Sequence, residues 1–408
     1  MEVSRPRQIV IAGAGIAGLT AAIAFARRGF AVQLYEQSPQ MPESGAGIQL
    51  SPNATRLLDR LGVTEYLLPA SVRPEKIVLR DARRQKLLAE IPLGAAAEER
   101  WKAPYLVVHR ADLQSALATR AARDPDIQLI TGARVGDAAL HARGVTVSID
   151  RNGTIAESVP LLLVGADGVW SAVRSLGRGA AQQRFTGQSA WRAMIRRESK
   201  LGSTLADIMP AHQVSVFLDP RFHLVAYPVR GGDAINIVAI AASTHTRQGP
   251  ADSAQLAQAM RNVRGPLAEV VGAAGPWTIW PIHEVEQGLA WTAHQGAALI
   301  GDAAHAMSPY AAQGAAMAIE DAVTLAELVF RAQGDLRTAL DAYERLRRPR
   351  VEKIAKRGLF NKRMWNAGGF TRLGRNLVLK RRPAEKLLAD LDWIYAYDAM
   401  AETAPAAQ

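Results

Sequence analysis

Three sets of residues in this 408-residue chain have types and spacings that could do chemistry. The first is Gly13-Ala14-Gly15-Ile16-Ala17-Gly18, followed eighteen residues after Gly18 by Glu36. Glycines at that spacing let a backbone turn tightly and approach a pyrophosphate, and an acid at that distance can accept both hydroxyls of a ribose. The second is Gly301-Asp302 with Gln313-Gly314-Ala315. Here a turn glycine sets a carboxylate at a strand end, and a helix opening on Gly-Ala-Ala offers bare N–H groups and partial positive charge to an electron-rich group. The third is His223 with Tyr227. Period-two alternation puts them on one face of a strand with Val225 and Val229. A neutral imidazole is a suitable base near pH 7. The structural alternative is an exposed strand histidine beside a core tyrosine.

The elements that must hold these groups can be read from pattern and punctuation. Residues 8–12 form a buried strand, 19–28 a helix capped by Gly29, and 31–35 a second strand ending in Glu36: a βαβ unit with the dinucleotide fingerprint. Residues 43–50 read as a glycine-rich loop, followed by a helix over 51–61 with Asn53 in its first turn. Residues 75–91 read as a hairpin, 105–109 as a strand, and 111–123 as a helix opened by Arg110. Residues 127–131, 144–149 and 158–164 look like a three-stranded meander. The turn Gly165-Ala166-Asp167-Gly168 leads into a helix at Ser171. From 184 to 282 strands dominate, at 187–195, 213–218, 222–229, 235–240 and 278–281, with one helix near 254–263. Arg230-Gly231-Gly232-Asp233 joins two of them as a hairpin. Pro309 stops a helix begun at Ala303, and a second helix runs from Gln313 to Val329. A basic helix over 336–356 and a helical tail to about 400 follow, with frayed final residues.

The expected fold class is α/β, α+β overall. A Rossmann-like nucleotide domain is assembled from 1–74, 105–183 and 285–360. It carries an inserted β-sheet substrate domain, with 75–104 as its hairpin and 184–284 as its body, and a C-terminal helical tail over 361–408. Such a length calls for two or three domains. With 49 Lys+Arg against 38 Asp+Glu, the net charge is +11. The only dense basic run is Arg345–Arg350, so the charge reads as attraction for small anions and not as a nucleic-acid surface. With no cysteine there is no disulfide, thiolate metal site or thiol chemistry. His212, His283 and His294 have no metal-ligand spacing. No signal peptide or membrane span is visible, and a cytoplasmic protein is expected.

Four pieces stand in order: Gly13–Gly18 with Glu36; Arg110 after an apolar strand; Asp167-Gly168 before Ser-Ala-Val-Arg; and Gly301-Asp302 before Pro309 and Gln313-Gly314. Over residues 8–350 the chain thereby resembles the FAD-dependent single-component aromatic hydroxylases, the class A flavoprotein monooxygenases. Its nearest likeness is to the salicylate and 3-hydroxybenzoate 6-hydroxylase branch. The resemblance implies FAD as cofactor and NADH or NADPH as co-substrate. It implies that Gly13, Gly15 and Gly18 cradle the pyrophosphate and Glu36 the adenosine ribose. Ala46, Gly47 and Ile48 would lie along the flavin ring, with Arg110 at the phosphate–ribityl region. Asp167 and Gly168 match a motif associated with both FAD and NAD(P)H. Gly301 and Asp302 would hold the ribityl chain, Pro309 would lie near the reactive face, and the Gly314 and Ala315 amides would face flavin N1 and O2. No second GxGxxG exists for the nicotinamide. In this family NAD(P)H reduces the flavin, and O₂ adds to give a C4a-hydroperoxide that attacks an electron-rich ring. His223 would then take the phenolic proton and Tyr227 orient the substrate, with Tyr105 and Trp191 as further substrate contacts. His305 reads as a structural hydrogen-bonder. Residues 282–291 lack the Asp-Arg-x-Pro often seen in salicylate-type members. The substrate therefore stands as a small phenolic acid or, alternatively, an N-heteroaromatic or polycyclic metabolite. A non-catalytic FAD-binding redox protein is the remaining alternative. Partners are the substrate, O₂ and NAD(P)H, with the chain a monomer or homodimer.

Overall fold

The structure is a computed structural model that describes residues 7–41, 45–142, 144–175, 183–251 and 253–403. Glu43 and Ser44 of the expected glycine-rich loop, and the last residues of the tail, lie outside the described residues. A six-stranded sheet runs in the order Thr292–Ala293, Ala297–Leu299, Leu162–Gly165, Gln8–Ala12, Ala31–Glu36, Ile127–Thr131. It is parallel except at the Thr292–Ala293 edge. Its central strands are continuous apolar runs because both faces are covered. Helix Ile16–Ala26 is buried along almost its whole length, wedged against helix Gly314–Arg331.

A second, eight-stranded sheet runs Gly249–Ala251, Trp277–Val285, Gln183–Arg196, Ala234–Ala242, Phe222–Val229, Gln213–Leu218, Lys76–Asp81, Leu87–Pro92. The early hairpin is thus stitched onto the later strands through one parallel pair, Gln213–Leu218 with Lys76–Asp81. One face of this sheet packs Phe217, Phe222, Leu224, Ile237 and Ile279 against apolar residues of helices Lys200–Ile208, Ala254–Ala259 and Pro266–Ala273. The other face is the roof of a large cavity.

Several expectations need correcting. The meander is built from Arg134–His141, Gly144–Arg151 and Thr154–Ser158. Ile127–Thr131 and Leu162–Gly165 belong to the parallel sheet, where runs such as Leu162-Leu163-Val164 are buried. Residues 47–50 are a strand, paired antiparallel with Leu106–His109; the glycines around Ile48 hid it. Helix Lys200–Ile208, whose Ser199 cap accepts the Gly202 N–H at 3.0 Å, had no expected counterpart, nor did Pro266–Ala273. The basic helix extends over Leu336–Trp365, past Pro349. Among the described residues no helix is long and apolar enough to cross a membrane.

The run Arg345–Arg350 is no open basic patch. Arg347 is completely buried and donates to Asp321 Oδ1 at 2.8 Å and Glu320 Oε2 at 2.6 Å. Arg350 reaches Glu320 Oε1 at 3.0 Å and the carbonyl oxygens of Trp393 and Ile394 at 2.7 and 2.9 Å. Asp321 Oδ2 accepts from the Gly301 N–H at 2.9 Å and lies 2.6 Å from His305 Nε2. Glu320 Oε1 accepts from Asn53 Nδ2 at 2.7 Å, and the Gln313 amide bridges to Ser51 at 2.8 Å.

Burial alone would raise the Asp321 carboxyl, but His305 and Arg347 overcome it and hold it at about 2. A carboxylate depressed in the fold stabilises it above its unfolded value and loses that contribution as pH falls through the folded value. Acid titration should therefore release this stability between about pH 4 and pH 2. Arg347→Met removes the cation shared by both buried carboxylates, leaving Glu320 with Arg350 and Asp321 with His305. It should cost about 3–5 kcal/mol in urea unfolding and move acid unfolding to higher pH; a variant as stable as the parent would overturn this assignment.

Candidate active site

Between the carboxyl ends of the parallel strands and the roof of the second sheet lies a cavity of about 1900 Å³. That is roughly twice the upper end of a single small-ligand site, so it has room for a large cofactor and a substrate together. Its glycines do different jobs. Gly13 has φ +97°, and a Cβ there would fall 2.7 Å from the Ala166 carbonyl oxygen. A Cβ on Gly18 would fall 1.9 Å from the Gly13 oxygen. Both are demanded by the protein's own packing. Gly15 is different: its Cβ position meets nothing nearer than Arg110 Nη2 at 3.9 Å, and it lines the cavity. The Glu36 carboxylate ties the turn together, accepting from Ala14 N and from Ser38 N, each at 2.9 Å. Gly13, Gly18, Glu36 and Gly301 stand behind the cavity wall; Gly15, Ala46, Gly47, Ile48, Arg110, Asp167, Gly168, Asp302, Gly314 and Ala315 form it.

Arg110 opens helix Arg110–Ala121, with its N–H donating to the Ala46 oxygen at 2.9 Å. Burial lowers its pKa, opposed by Asp302 and Glu36. Asp302 opens onto the cavity but is walled in by protein. That enclosure raises its carboxyl, while His305 and Arg110 lower it. The turn beneath it is tight: a Cβ on Gly301 would meet Ala318 Cβ at 3.0 Å and Ala17 Cβ at 3.3 Å. At Gly314, by contrast, no atom comes within 4 Å of the Cβ position, so the start of an 18-residue helix faces open space. The Asp167 carboxylate is spent on a helix cap, accepting from Ser171 OH at 2.5 Å and from Ala172 N at 2.7 Å. Its contribution to the cavity wall is therefore positional. His305 is engaged with Asp321 and stacks near Trp291 at 4.9 Å, as a structural group.

The roof is read off the strand register. Ala190, Ile240 and His223 form one row, and Arg192, Val238 and Val225 the next. All six line the cavity. Trp191, expected as a substrate contact, points the other way, into the core behind the sheet. Its neighbours Arg192 and Trp280 are on the cavity side, with the guanidinium 4.7 Å from the Trp280 ring centroid. Burial lowers Arg192 to about 10, so it stays cationic at neutral pH, and among the described residues no carboxylate pairs with it. Alternation on its strand, once the register with His223 was known, would have found it.

His223 is buried between Tyr310 and Trp365, with ring centroids at 4.7 and 5.0 Å. Burial drives its imidazole down to about 3. Burial raises the Tyr227 phenol, while Arg192 and Gln49 lower it. Tyr227 and Asn236 press on Gly47, where a Cβ would come within 2.5 and 2.8 Å of them. The Asn236 oxygen accepts the Gly47 N–H at 2.8 Å. Tyr105 lines the same end and donates to Gln49 Oε1 at 2.6 Å, and Pro309 also borders the cavity.

The site thus offers clearance at Gly15, a cation and a carboxylate at Arg110 and Asp302, a bare helix start at Gly314, and a wall of Ala46, Gly47 and Ile48. That fits an elongated dinucleotide with a ring system at the roof end. Gly15→Val should fold normally yet purify without bound dinucleotide. Gly13→Ala should destabilise the fold itself. Absorbance of the purified proteins together with thermal unfolding separates the two, and a fully loaded Gly15→Val would refute the placement.

A family model described as FAD binding domain matches residues 7–358. The 3-hydroxybenzoate 6-hydroxylase of Polaromonas naphthalenivorans is 33% identical over 393 residues, 96% of each chain. The 3-amino-4-hydroxybenzoate 2-monooxygenase PtnB3 of Streptomyces platensis is 33% identical over 399 residues, 97% of each chain. Among solved structures, Klebsiella pneumoniae HpxO complexed with FAD and uric acid aligns with a TM-score of 0.80 at 26% identity, covering 94% of this chain and 95% of that one. With this match over most of its length, the chain belongs to the FAD-binding family of flavin-dependent aromatic hydroxylases, and its cofactor is FAD.

Proposed function

We propose that this enzyme hydroxylates a small phenolic acid with NADH or NADPH and O₂. The observation that carries the reading is Arg192, a cation without an acidic partner among the described residues, on a roof whose two rows are otherwise apolar except for His223. A half-buried guanidinium that opens on a cavity and has no carboxylate beside it is stabilised when an anion pairs with it. An aromatic carboxylate does so while its ring lies against Val225, Val238 and Ile240. Bound FAD supplies the chemistry that activates O₂ with electrons from the nicotinamide.

The chain's own residues then have separable tasks. Asp302, Arg110 and the Gly15 turn bind and orient the cofactor. The helix start at Gly314 turns its N–H groups toward negative charge at the ring. The roof and the Tyr310–Trp365 pair exclude water. His223 accepts a hydrogen bond from the substrate hydroxyl and raises the ring's electron density. Because burial holds its pKa near 3, it acts as a neutral acceptor and not as the full base that its type alone suggests. Tyr227 and Tyr105 position the ring edge. A heteroaromatic acid is the second reading, favoured by the uric acid in the HpxO structure and by the Gln49 amide in the cavity wall.

A panel of hydroxybenzoates and hydroxylated heteroaromatic acids, followed by substrate-stimulated NADH or NADPH oxidation and product analysis, tests the proposal. Stoichiometric hydrogen peroxide without hydroxylated product for every acid would sink it. Arg192→Leu should raise KM for the acid roughly 100-fold, as expected when one partner of a buried charge pair is removed. It should leave KM for the matching carboxamide unchanged. His223→Ala should lower kcat roughly 10-fold at full FAD content, the size of one lost hydrogen bond. The parent's kcat/KM should show no inflection from His223 between about pH 5 and pH 8, because its imidazole is neutral throughout; an inflection that disappears in His223→Ala would overturn that role.

A further inference from the structure

The net charge of +11 is not spread over the molecule. Residues 353–386 hold eleven Lys and Arg and a single acid, Glu385, so this segment carries +10 of it. The rest of the chain is close to neutral. The segment comprises the end of helix Leu336–Trp365, helix Gly369–Arg381 and the start of Ala384–Ala389. Lys353, Lys356, Arg363, Lys380, Arg381 and Lys386 are exposed.

Helix Gly369–Arg381 also presents apolar side chains to the outside. Phe370 is 92% exposed, Leu373 64% and Leu377 50%. Their i, i+3, i+7 spacing makes one stripe. Thr371, Gly374 and Val378, at the same spacing one residue on, line the large cavity. Val378 and Phe360 are both exposed and cavity-lining, so they mark its rim. The helix is held by its polar side: Arg372 pairs with Asp81 at 2.6 Å, and Arg375 donates to the Met364 and Trp365 oxygens, each at 2.9 Å. The apolar stripe is left outside.

We propose that this helix docks the enzyme on an anionic lipid surface, with Phe370, Leu373 and Leu377 entering the headgroup–acyl boundary. An exposed apolar stripe flanked by Lys and Arg, on a helix too short and too charged to span, has the chemistry of interfacial binding. A second copy of this chain is disfavoured as the occupant. A two-fold contact through this helix would bring one +10 segment against another. Docked in this way, the cavity rim at Phe360 and Val378 faces the headgroup layer.

The test uses FAD-loaded protein with vesicles of phosphatidylcholine alone and of phosphatidylcholine with phosphatidylglycerol, separated by flotation. The protein should float with the phosphatidylglycerol vesicles at low salt, be released at high salt, and stay behind with phosphatidylcholine alone. The double variants Leu373→Glu/Leu377→Glu and Lys380→Glu/Arg381→Glu should each lose flotation while keeping full FAD content. Failure of the parent protein to float with anionic vesicles overturns the proposal. So does analytical ultracentrifugation showing a dimer that Leu373→Glu/Leu377→Glu dissociates, since that assigns the stripe to a second copy.

Discussion

Arg347 sits at zero exposure between Glu320 and Asp321, and much of the site depends on that placement. A guanidinium taken out of water is tolerable only with near-complete pairing, and the groups that complete it are those that shape the cavity. Asp321 uses its second oxygen on the Gly301 N–H and His305, fixing the turn from which Asp302 projects. Glu320 uses its own on Asn53 and Arg350, fixing the start of helix Pro52–Arg60 and, through Arg350, residues 393–394. Five stretches distant in sequence are thereby locked to one point. The turn that carries Asp302 and the helix start at Gly314 cannot move independently, which is the preorganisation that the proposed site needs.

The glycines sort themselves by what a Cβ would strike. At Gly13, Gly18 and Gly301 it would strike the chain's own atoms, so these positions are set by how closely helix Ile16–Ala26 must approach strand ends and helix Gly314–Arg331. At Gly15 and Gly314 it would enter the cavity. Gly47 is a third case: it lets the strand pass beneath Tyr227 and Asn236, joining the nucleotide fold to the roof. The same residue type thus serves folding, clearance in the cavity and contact between the two sheets.

What was legible in sequence was local. The Gly13–Gly18 turn with Glu36, the Phe222–Val229 hairpin and the Gly301-Asp302 turn all declare themselves within about twenty residues. What was hidden depends on register or on distant partners. Trp191 and Arg192 are adjacent, and only the pairing of Gln183–Arg196 with Ala234–Ala242 decides which faces the cavity. An aromatic residue looked the better contact, yet the sheet sends it to the core. Strand Leu162–Gly165 looked like the end of a meander because its neighbours, Gln8–Ala12 and Ala297–Leu299, are far away in sequence. The basic run at 345–350 gave no sign that its middle member is the most buried cation in the described chain, because its acids lie a helix earlier.

The roof shows why so few polar groups suffice for selectivity. Arg192 and His223 lie two strands apart and one row apart on the same face. Strand spacing and rise put their Cα atoms on the order of 12 Å from each other. The Arg192 guanidinium lies over Trp280 and the His223 ring against Tyr310 and Trp365, so the two groups border the cavity at separate places. One end is a fixed cation, the other an imidazole that burial keeps neutral. In the proposed reading, a ring carrying a carboxylate at one end and a hydroxyl at the other satisfies both. A ring lacking the carboxylate leaves Arg192 unpaired. The valines and Ile240 between them add burial without preference, so discrimination rests on a pair of groups whose charges the sheet itself sets.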